Sequence, residues 1–403
     1  MIKGYKIKIY PTKEQQEIIH KSFGCSRFIY NWCIDTIQKY YDENKKTLSN
    51  IDLQKLITKL KQNKEYSWLN DVSANMLKQT SIDCGEAFKK WFKHIKTKGI
   101  TYSEKTKKKS ITKGFRFTIK HSEYYPKYKT RKSELKCPTR TDRMVFKGRY
   151  VKLEKLGDVK LSKVKLNLQG KLMNARLSFD GIDYWLSFSV DLGEVTIPKK
   201  HKIEPIGIDL GLKTLFVCSN GQSFKKPHTK KIDKKIKKFQ RKVSHIYQKM
   251  IDYCMETRTK FSDLVKSKNL LKYERQLRKY QIKKTNILNS NIHKITSELM
   301  KLNPERITIE DLNVKGMMKN HKLANSVMNA KFYEIRRQLI YKCKNNDIKL
   351  VIADRWFPSS KTCSYCGSIK KDLKLKDRTY YCKECGAVID RDLNASINLS
   401  RIA

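Results

Sequence analysis

The 403-residue sequence is short of acidic residues: 39 Asp and Glu stand against 89 Lys and Arg, a formal net charge of +50 at pH 7. Self-repulsion on that scale works against a compact state unless a partner neutralises it, and nucleic acids are the abundant cellular polyanions. Any run near the roughly 18 consecutive apolar residues of a membrane helix is also missing. Met1-Ile2-Lys3-Gly4 leads into alternating Lys and apolar residues without a signal-peptide pattern. A soluble, cytoplasmic protein with no membrane partner is therefore expected, since the charge is spread along the chain and not gathered on one amphipathic helix. Nor is there a Ser-His-Asp or Cys-His arrangement to supply a nucleophilic side chain. What is present is ample apolar material, 39% hydrophobic and 10% aromatic residues, enough for two or three packed cores and too much for global disorder.

The 11 cysteines are an odd number in a chain with no secretion signal, which argues against a disulfide framework. Four of them form a pattern. Cys363-x-x-Cys366, fifteen residues, then Cys382-x-x-Cys385 has the spacing of a four-thiolate zinc site, and Gly367 and Gly386 follow the two pairs. One Zn²⁺ held this way is coordinatively closed and structural. Four free thiols are the alternative. Cys25, Cys33, Cys84, Cys137, Cys218, Cys254 and Cys343 show no ligand spacing and are expected to be small core residues.

Tyr5, Ile7 and Ile9 alternate with lysines, a half-buried strand ending at Pro11. Thr12 with Gln15 predicts a helix start and Gly24 its end; helical patterning resumes at about Arg27 and runs to Thr97, with breaks near 46–50 and 63–66. Residues 98–133 lose periodicity and read as a Lys-rich linker, mobile or ordered by RNA. From Met144 to Leu192 the period is two, with short segments parted by glycines, which predicts a small antiparallel β-barrel that the first strand joins and into which the helical lobe is inserted. Ile232, Ile236, Phe239, Val243, Ile246 and Met250 mark one helix of a hairpin whose basic outer face is either solvated or laid along a nucleic-acid backbone.

Asp209 closes the apolar strand Ile206-Gly207-Ile208, Glu310 closes Ile307-Thr308-Ile309, and Asp392 stands in the first turn of the last helix. Singly, each is an ordinary cap or surface charge. Together, in so basic a chain, three carboxylates are what two Mg²⁺ ions need to act on a phosphodiester.

These residues carry a resemblance. Gly207-Ile208-Asp209-Leu210-Gly211, Ile309-Glu310-Asp311-Leu312-Asn313 and Asp390-Arg391-Asp392-Leu393-Asn394-Ala395 resemble the three motifs of a RuvC-type nuclease, in the form found in TnpB, the transposon-encoded RNA-guided nucleases related to type V CRISPR effectors. The run Arg355-Trp356-Phe357-Pro358-Ser359-Ser360-Lys361-Thr362-Cys363-Ser364 is the most specific match. The resemblance implies a multidomain α+β chain: barrel strand 1–11, helical recognition lobe 12–97, linker 98–133, remaining barrel 134–200, and an RNase H-like nuclease domain 201–403 carrying the helical hairpin 229–301 and zinc ribbon 361–388. It implies an endodeoxyribonuclease of a prokaryotic transposon that binds guide RNA and target double-stranded DNA, as a monomer or as a dimer on one RNA, with Asp209, Glu310 and Asp392 holding two Mg²⁺ ions. Asp392, not Asp390, matches the third acid. Asn75, Lys78 and Gln79 on one helix face are the expected readers of a short duplex motif, an Asn or Gln amide being able to pair with adenine; a solvated face is the alternative. Competing functions are a guide-dependent repressor without cleavage and a protein-only transposase or resolvase.

Overall fold

The computed structural model describes residues 1–103, 106, 118–130, 135–163, 166, 168–194, 201–374 and 377–402. The chain divides into two compact units, Met1–Val195 and Thr196–Ala403. No helix among the described residues is long and apolar enough to cross a membrane.

In the first unit, β1 (Ile2–Tyr10) runs into α1 (Lys13–Asn44) through the expected cap: the Thr12 side chain accepts from the Gln15 amide and the Gln15 side chain from the Thr12 amide. The helix does not stop at Gly24. Phe23, Cys25 and Ile29 are all buried, so packing on both sides of the glycine outweighs its weak helix propensity. α2 (Asn50–Leu60), a 3₁₀ segment (Lys64–Asp71) and α3 (Ala74–Lys98) complete the helical part.

β2 (Leu135–Pro138), β3 (Val145–Lys147), β4 (Tyr150–Leu153), β5 (Gly157–Leu161), β6 (Lys171–Phe179) and β7 (Tyr184–Asp191) join β1 in a seven-stranded antiparallel sheet, order β2-β6-β7-β1-β5-β4-β3. β1 lies in it as expected, paired with β7 and β5. The barrel, however, is not closed: the edge strands β2 and β3, four and three residues long, do not pair with each other. The helices share one core with the sheet, where Ile7 and Ile9 of β1 meet Ile19, Phe23, Leu77 and Trp91.

Much of the expected mobile linker, 104–105, 107–117 and 131–134, lies outside the described residues. Residues 118–130 differ from that expectation and are packed. Ser122 Oγ accepts from the Trp91 indole at 2.9 Å, the Tyr125 ring is buried 5.0 Å from Trp91, and Asn31 exchanges two hydrogen bonds with the backbone of Lys129. Two aromatic anchors offset the ordering of this Lys-rich stretch.

The second unit is built on β8 (Ile206–Asp209), β9 (Thr214–Cys218), β10 (Ser223–Lys225), β11 (Arg306–Glu310) and β12 (Lys349–Ala353), order β10-β9-β8-β11-β12. β10, β9 and β8 are antiparallel; β8, β11 and β12 are parallel. Parallel neighbours need long crossovers. The first contains the helical hairpin α4 (Lys230–Thr257) and α5 (Lys268–Leu302); the second contains α6 (Val314–Met318), α7 (His321–Ala330) and α8 (Phe332–Asn345). Within the hairpin Phe239 stacks on Tyr280 at 5.7 Å, while α4 buries no residue fully and keeps its lysines in solvent. Ile292, Ile295 and Leu299 of α5 and Phe332, Ile335 and Leu339 of α8 fill the core under the sheet. β13 (Thr379–Tyr381) and β14 (Val388–Asp390) form a small hairpin, and α9 (Arg391–Ser400) ends the unit.

Candidate metal and nuclease site

The sheet brings two of the acids side by side. Thr308 is paired with Gly207 and Ile309 with Ile208 in the parallel ladder, so Glu310 and Asp209 end neighbouring strands. Side chains alternate along a strand: Ile206 and Ile208 enter the core, leaving Gly207 and Asp209 on the other face. That face carries α9. A Cβ on Gly207 would lie 2.0 Å from the Ser396 carbonyl oxygen and 2.3 Å from the Ser400 nitrogen, both main-chain atoms. The glycine is what lets α9 lie directly on β8 and bring Asp392 to Asp209. Gly207→Ala should therefore lower the stability of this unit by at least about 3 kcal/mol, since backbone must move to admit the methyl group. Urea denaturation of the purified protein checks this; an unchanged midpoint would overturn the packing argument.

The electrostatics show the convergence. Asp209 is half-buried, and its carboxyl is pushed up to about 8, first by burial, then by the charges of Glu310 and Asp392. Arg391 opposes that rise in part; Glu310 Oε1 accepts from Ser359 Oγ at 2.5 Å. Asp392 is paired with Arg391 at 3.0 Å and faces Arg378 at 3.8 Å. Asp390 has a different task. As N-cap of α9 its Oδ1 accepts from the amides of Asp392 and Leu393 at 2.9 and 3.0 Å.

Among the described residues, the four cysteine sulfurs are the only group whose possible ligand atoms all lie within 4.8 Å of one another. The three carboxylates do not all lie within that distance of one another. Cys363 and Cys385 Sγ are 3.7 Å apart and Cys366 and Cys382 Sγ 3.6 Å. A regular tetrahedron with metal–sulfur bonds of 2.3 Å has edges of about 3.8 Å, so the sulfurs are arranged for a zinc ion. The two knuckles repeat one pattern. The Gly367 amide donates to the Cys363 carbonyl and the Gly386 amide to that of Cys382, each glycine at a φ of 79° or 71° that a residue with a Cβ would resist.

A buried clamp joins this ribbon to the acids. Asn394 and Asn398, one turn apart on α9, hold residues 359–364: Asn394 Nδ2 donates to the Thr362 carbonyl at 2.7 Å, its Oδ1 accepts from the Ser364 amide at 2.8 Å, and Asn398 Nδ2 donates to the carbonyls of Ser359 and Thr362 at 2.8 and 2.7 Å. The clamped segment begins with the serine that holds Glu310 and contains Cys363.

Three family models match the chain: a "Helix-turn-helix domain" of the OrfB/IS605 type over residues 1–46, a "Probable transposase" model over 187–321, and a "Cas12f1-like, TNB domain" over 332–399. The chain is 28% identical to a "Putative RNA-guided DNA endonuclease" of Streptomyces pristinaespiralis, covering 98% of this chain and 88% of that one. It is 25% identical to the "TnpB-like protein L770" of Acanthamoeba polyphaga mimivirus, over 100% of this chain and 73% of the other. Along nearly its whole length the chain is thus similar to TnpB-type proteins. A similar solved structure is a Cas12f1–sgRNA–target DNA complex, 16% identical, covering 99% of this chain and 98% of that one with a TM-score of 0.49.

The remaining sequence candidates divide. Asn75, Lys78 and Gln79 are all exposed on α3. Asn75 and Gln79 line a cleft with Arg140, Asn174 and Arg176, but Lys78 is not part of its wall. Sequence reasoning missed Ser359, Asn394 and Asn398, whose roles depend on contacts between segments far apart in the chain. The only signal was that Ser359 and Asn394 fall inside two of the family-like runs; nothing marked Asn398.

Proposed function

We propose that this protein is an RNA-guided, metal-dependent DNA endonuclease of a transposon, working at the nucleoid of a prokaryotic cell. One observation carries the reading: Asp209 and Glu310 end neighbouring parallel strands under the helix that carries Asp392, and the Asp209 carboxyl is pushed up to about 8, first by burial and then by the charges of Glu310 and Asp392. A fold keeps such a cluster at a cost in stability, and clusters of this kind mark functional sites. The mixed sheet order β10-β9-β8-β11-β12 with acids at the ends of two central strands supports an RNase H-like nuclease domain. The relatives' names support the guided activity.

Asp209, Glu310 and Asp392 would hold two Mg²⁺ ions. When bound, the pair supplies an activated water and stabilises the departing 3′ oxygen. The protein's own groups prepare the site. Ser359 fixes the rotamer of Glu310, and Arg391 and Arg378 hold Asp392. The lysine-covered hairpin α4–α5 would grip the guide RNA and its heteroduplex through backbone charge, base pairing carrying the sequence information. Asn75 and Gln79 would read the duplex motif, with Lys78 on a nearby phosphate. The four cysteines would hold Zn²⁺ as a structural ion.

The test is to purify the protein from cells carrying its native genomic neighbourhood and sequence what is bound. A discrete RNA should copurify, and ribonuclease should abolish Mg²⁺-dependent cleavage of matching DNA. Cleavage that survives ribonuclease would assign a protein-only transposase or resolvase; guided binding without cleavage would assign a repressor.

A further inference from the structure

The loop after β12 is anchored on both sides to the end of β11. Ala353 lies beside Glu310 in the parallel ladder. Arg355 reaches back to Asp311, Nη2 to Oδ2 at 2.5 Å and Nε to the carbonyl oxygen at 3.3 Å, and Ser359 donates to Glu310. Between these anchors Asp354 turns the chain, its Oδ1 accepting from the Trp356 amide at 2.8 Å and its carbonyl from the Phe357 amide at 3.1 Å. The turn carries Trp356 outward. Its side chain is 85% exposed and is in no ring or cation contact among the described residues. An indole left in water is the opposite of what folding favours. Here the backbone is held rigid on either side of it, so the exposure is built in and not a frayed end.

Position and chemistry limit what could cover this ring. Three residues of chain span at most about 10 Å, so Trp356 stands within that distance of Ser359, which touches Glu310. Along a bound strand that is within a few nucleotides of the carboxylates. The neighbouring guanidinium of Arg355 is committed to Asp311 and is not offered to a phosphate. What remains is an aromatic face, the group that accepts any unpaired base irrespective of sequence.

We propose that Trp356 is a stacking site for one unpaired base of the DNA strand being cut, and that stacking sets the register of the scissile phosphate against Asp209, Glu310 and Asp392. This rests on the nuclease reading above and adds the binding contact that reading leaves open. The pinned turn means little ordering of the loop is needed when the base arrives, so the contact helps both to hold the strand and to orient it.

The test uses the ribonucleoprotein purified from cells carrying the native neighbourhood, as wild type, Trp356→Ala and Trp356→Phe, with DNA targets in which a single abasic site is stepped through the unpaired strand. Because the indole supports no contact in the fold, zinc content and melting temperature should be unchanged in both variants. With intact DNA, Trp356→Ala should lose about 5- to 150-fold in kcat/KM, the equivalent of one base–aromatic stack of about 1–3 kcal/mol, and Trp356→Phe should recover most of it. In wild type one abasic position, within a few nucleotides of the cut, should reproduce that loss; in Trp356→Ala the same position should no longer matter. Equal kcat/KM for wild type and Trp356→Ala, or a loss that no abasic position mimics, overturns the stacking site. Anisotropy of a fluorescent single-stranded oligonucleotide separates the two readings. If wild type does not cut, the nuclease reading fails; weaker oligonucleotide binding by Trp356→Ala would still support the stack, and unchanged binding would remove it.

Discussion

Asp209→Asn is expected to abolish cleavage and at the same time to stabilise the metal-free protein at neutral and alkaline pH. The two effects have one cause. The Asp209 carboxyl is raised from 3.8 to about 8 because burial and the charges of Glu310 and Asp392 disfavour its ionised form. A carboxyl raised on folding makes the native state bind more protons than the unfolded state between pH 4 and 8, so stability is full below about 4 and falls as pH rises towards 8. Over roughly four pH units at 1.36 kcal/mol each, the fall is on the order of 5 kcal/mol. Asparagine has the same shape and never carries the charge, so the variant should melt higher than wild type at pH 8 in EDTA and show a flatter dependence on pH. Added Mg²⁺ should raise the melting temperature of wild type by mass action and leave the variant nearly unmoved. Cleavage should fall about 1,000-fold or more, the several kcal/mol a catalytic metal site supplies, with guide RNA binding unaltered. A variant that cuts normally, or melts below wild type at every pH, would remove Asp209 from the site.

How much of this could be read from the sequence follows the range of the interactions involved. Thr12 with Gln15 is local, and the cap formed as expected; the same local logic failed at Gly24, where buried neighbours carry α1 through the glycine. The cysteine spacing is nearly local too, since each pair closes its own knuckle and only the meeting of the two knuckles is long-range. Alternation marked the antiparallel strands and the place of β1 among them, but closure of a barrel depends on edge strands meeting, which period-two patterning does not encode. Asp209 and Glu310 were visible because each ends an apolar run, and Asp392 because it stands in the first turn of the last helix. Which of Asp390 and Asp392 turns to the site was decided by the family pattern, and the structure adds the physical reason that Asp390 caps α9. The spacing of the carboxylates, the amide clamp and the packed stretch 118–130 were beyond reach, because each joins segments far apart in the chain through side chains that look ordinary where they stand.

Cys382→Ser is expected to cost more than the ribbon. A serine hydroxyl stays protonated and replaces a thiolate poorly, so bound zinc should fall from one ion per chain to none, and with it a contribution that in small zinc domains reaches about 10–16 kcal/mol. Residues 361–388 have a core of little more than Cys363, Tyr380 and Cys382, too small to hold without the ion. The damage should then travel along a defined route. Cys363 lies within the segment gripped by Asn394 and Asn398, and that segment starts at Ser359, the donor to Glu310; the amides sit on the helix that carries Asp392. Loosening the knuckle leaves two buried amides short of their partners and two of the three acids without their supports. Cleavage should therefore drop by at least about 100-fold, the effect of losing outer supports of a metal site, while Asn398→Ala, with zinc still bound, should reproduce part of the loss. Metal analysis, melting and cleavage on the same preparations decide it. If Cys382→Ser lost its zinc and still cut at the wild-type rate, the ribbon would be independent of the nuclease site; if Asn398→Ala alone were harmless, the route through the clamp would be wrong even though the zinc is needed.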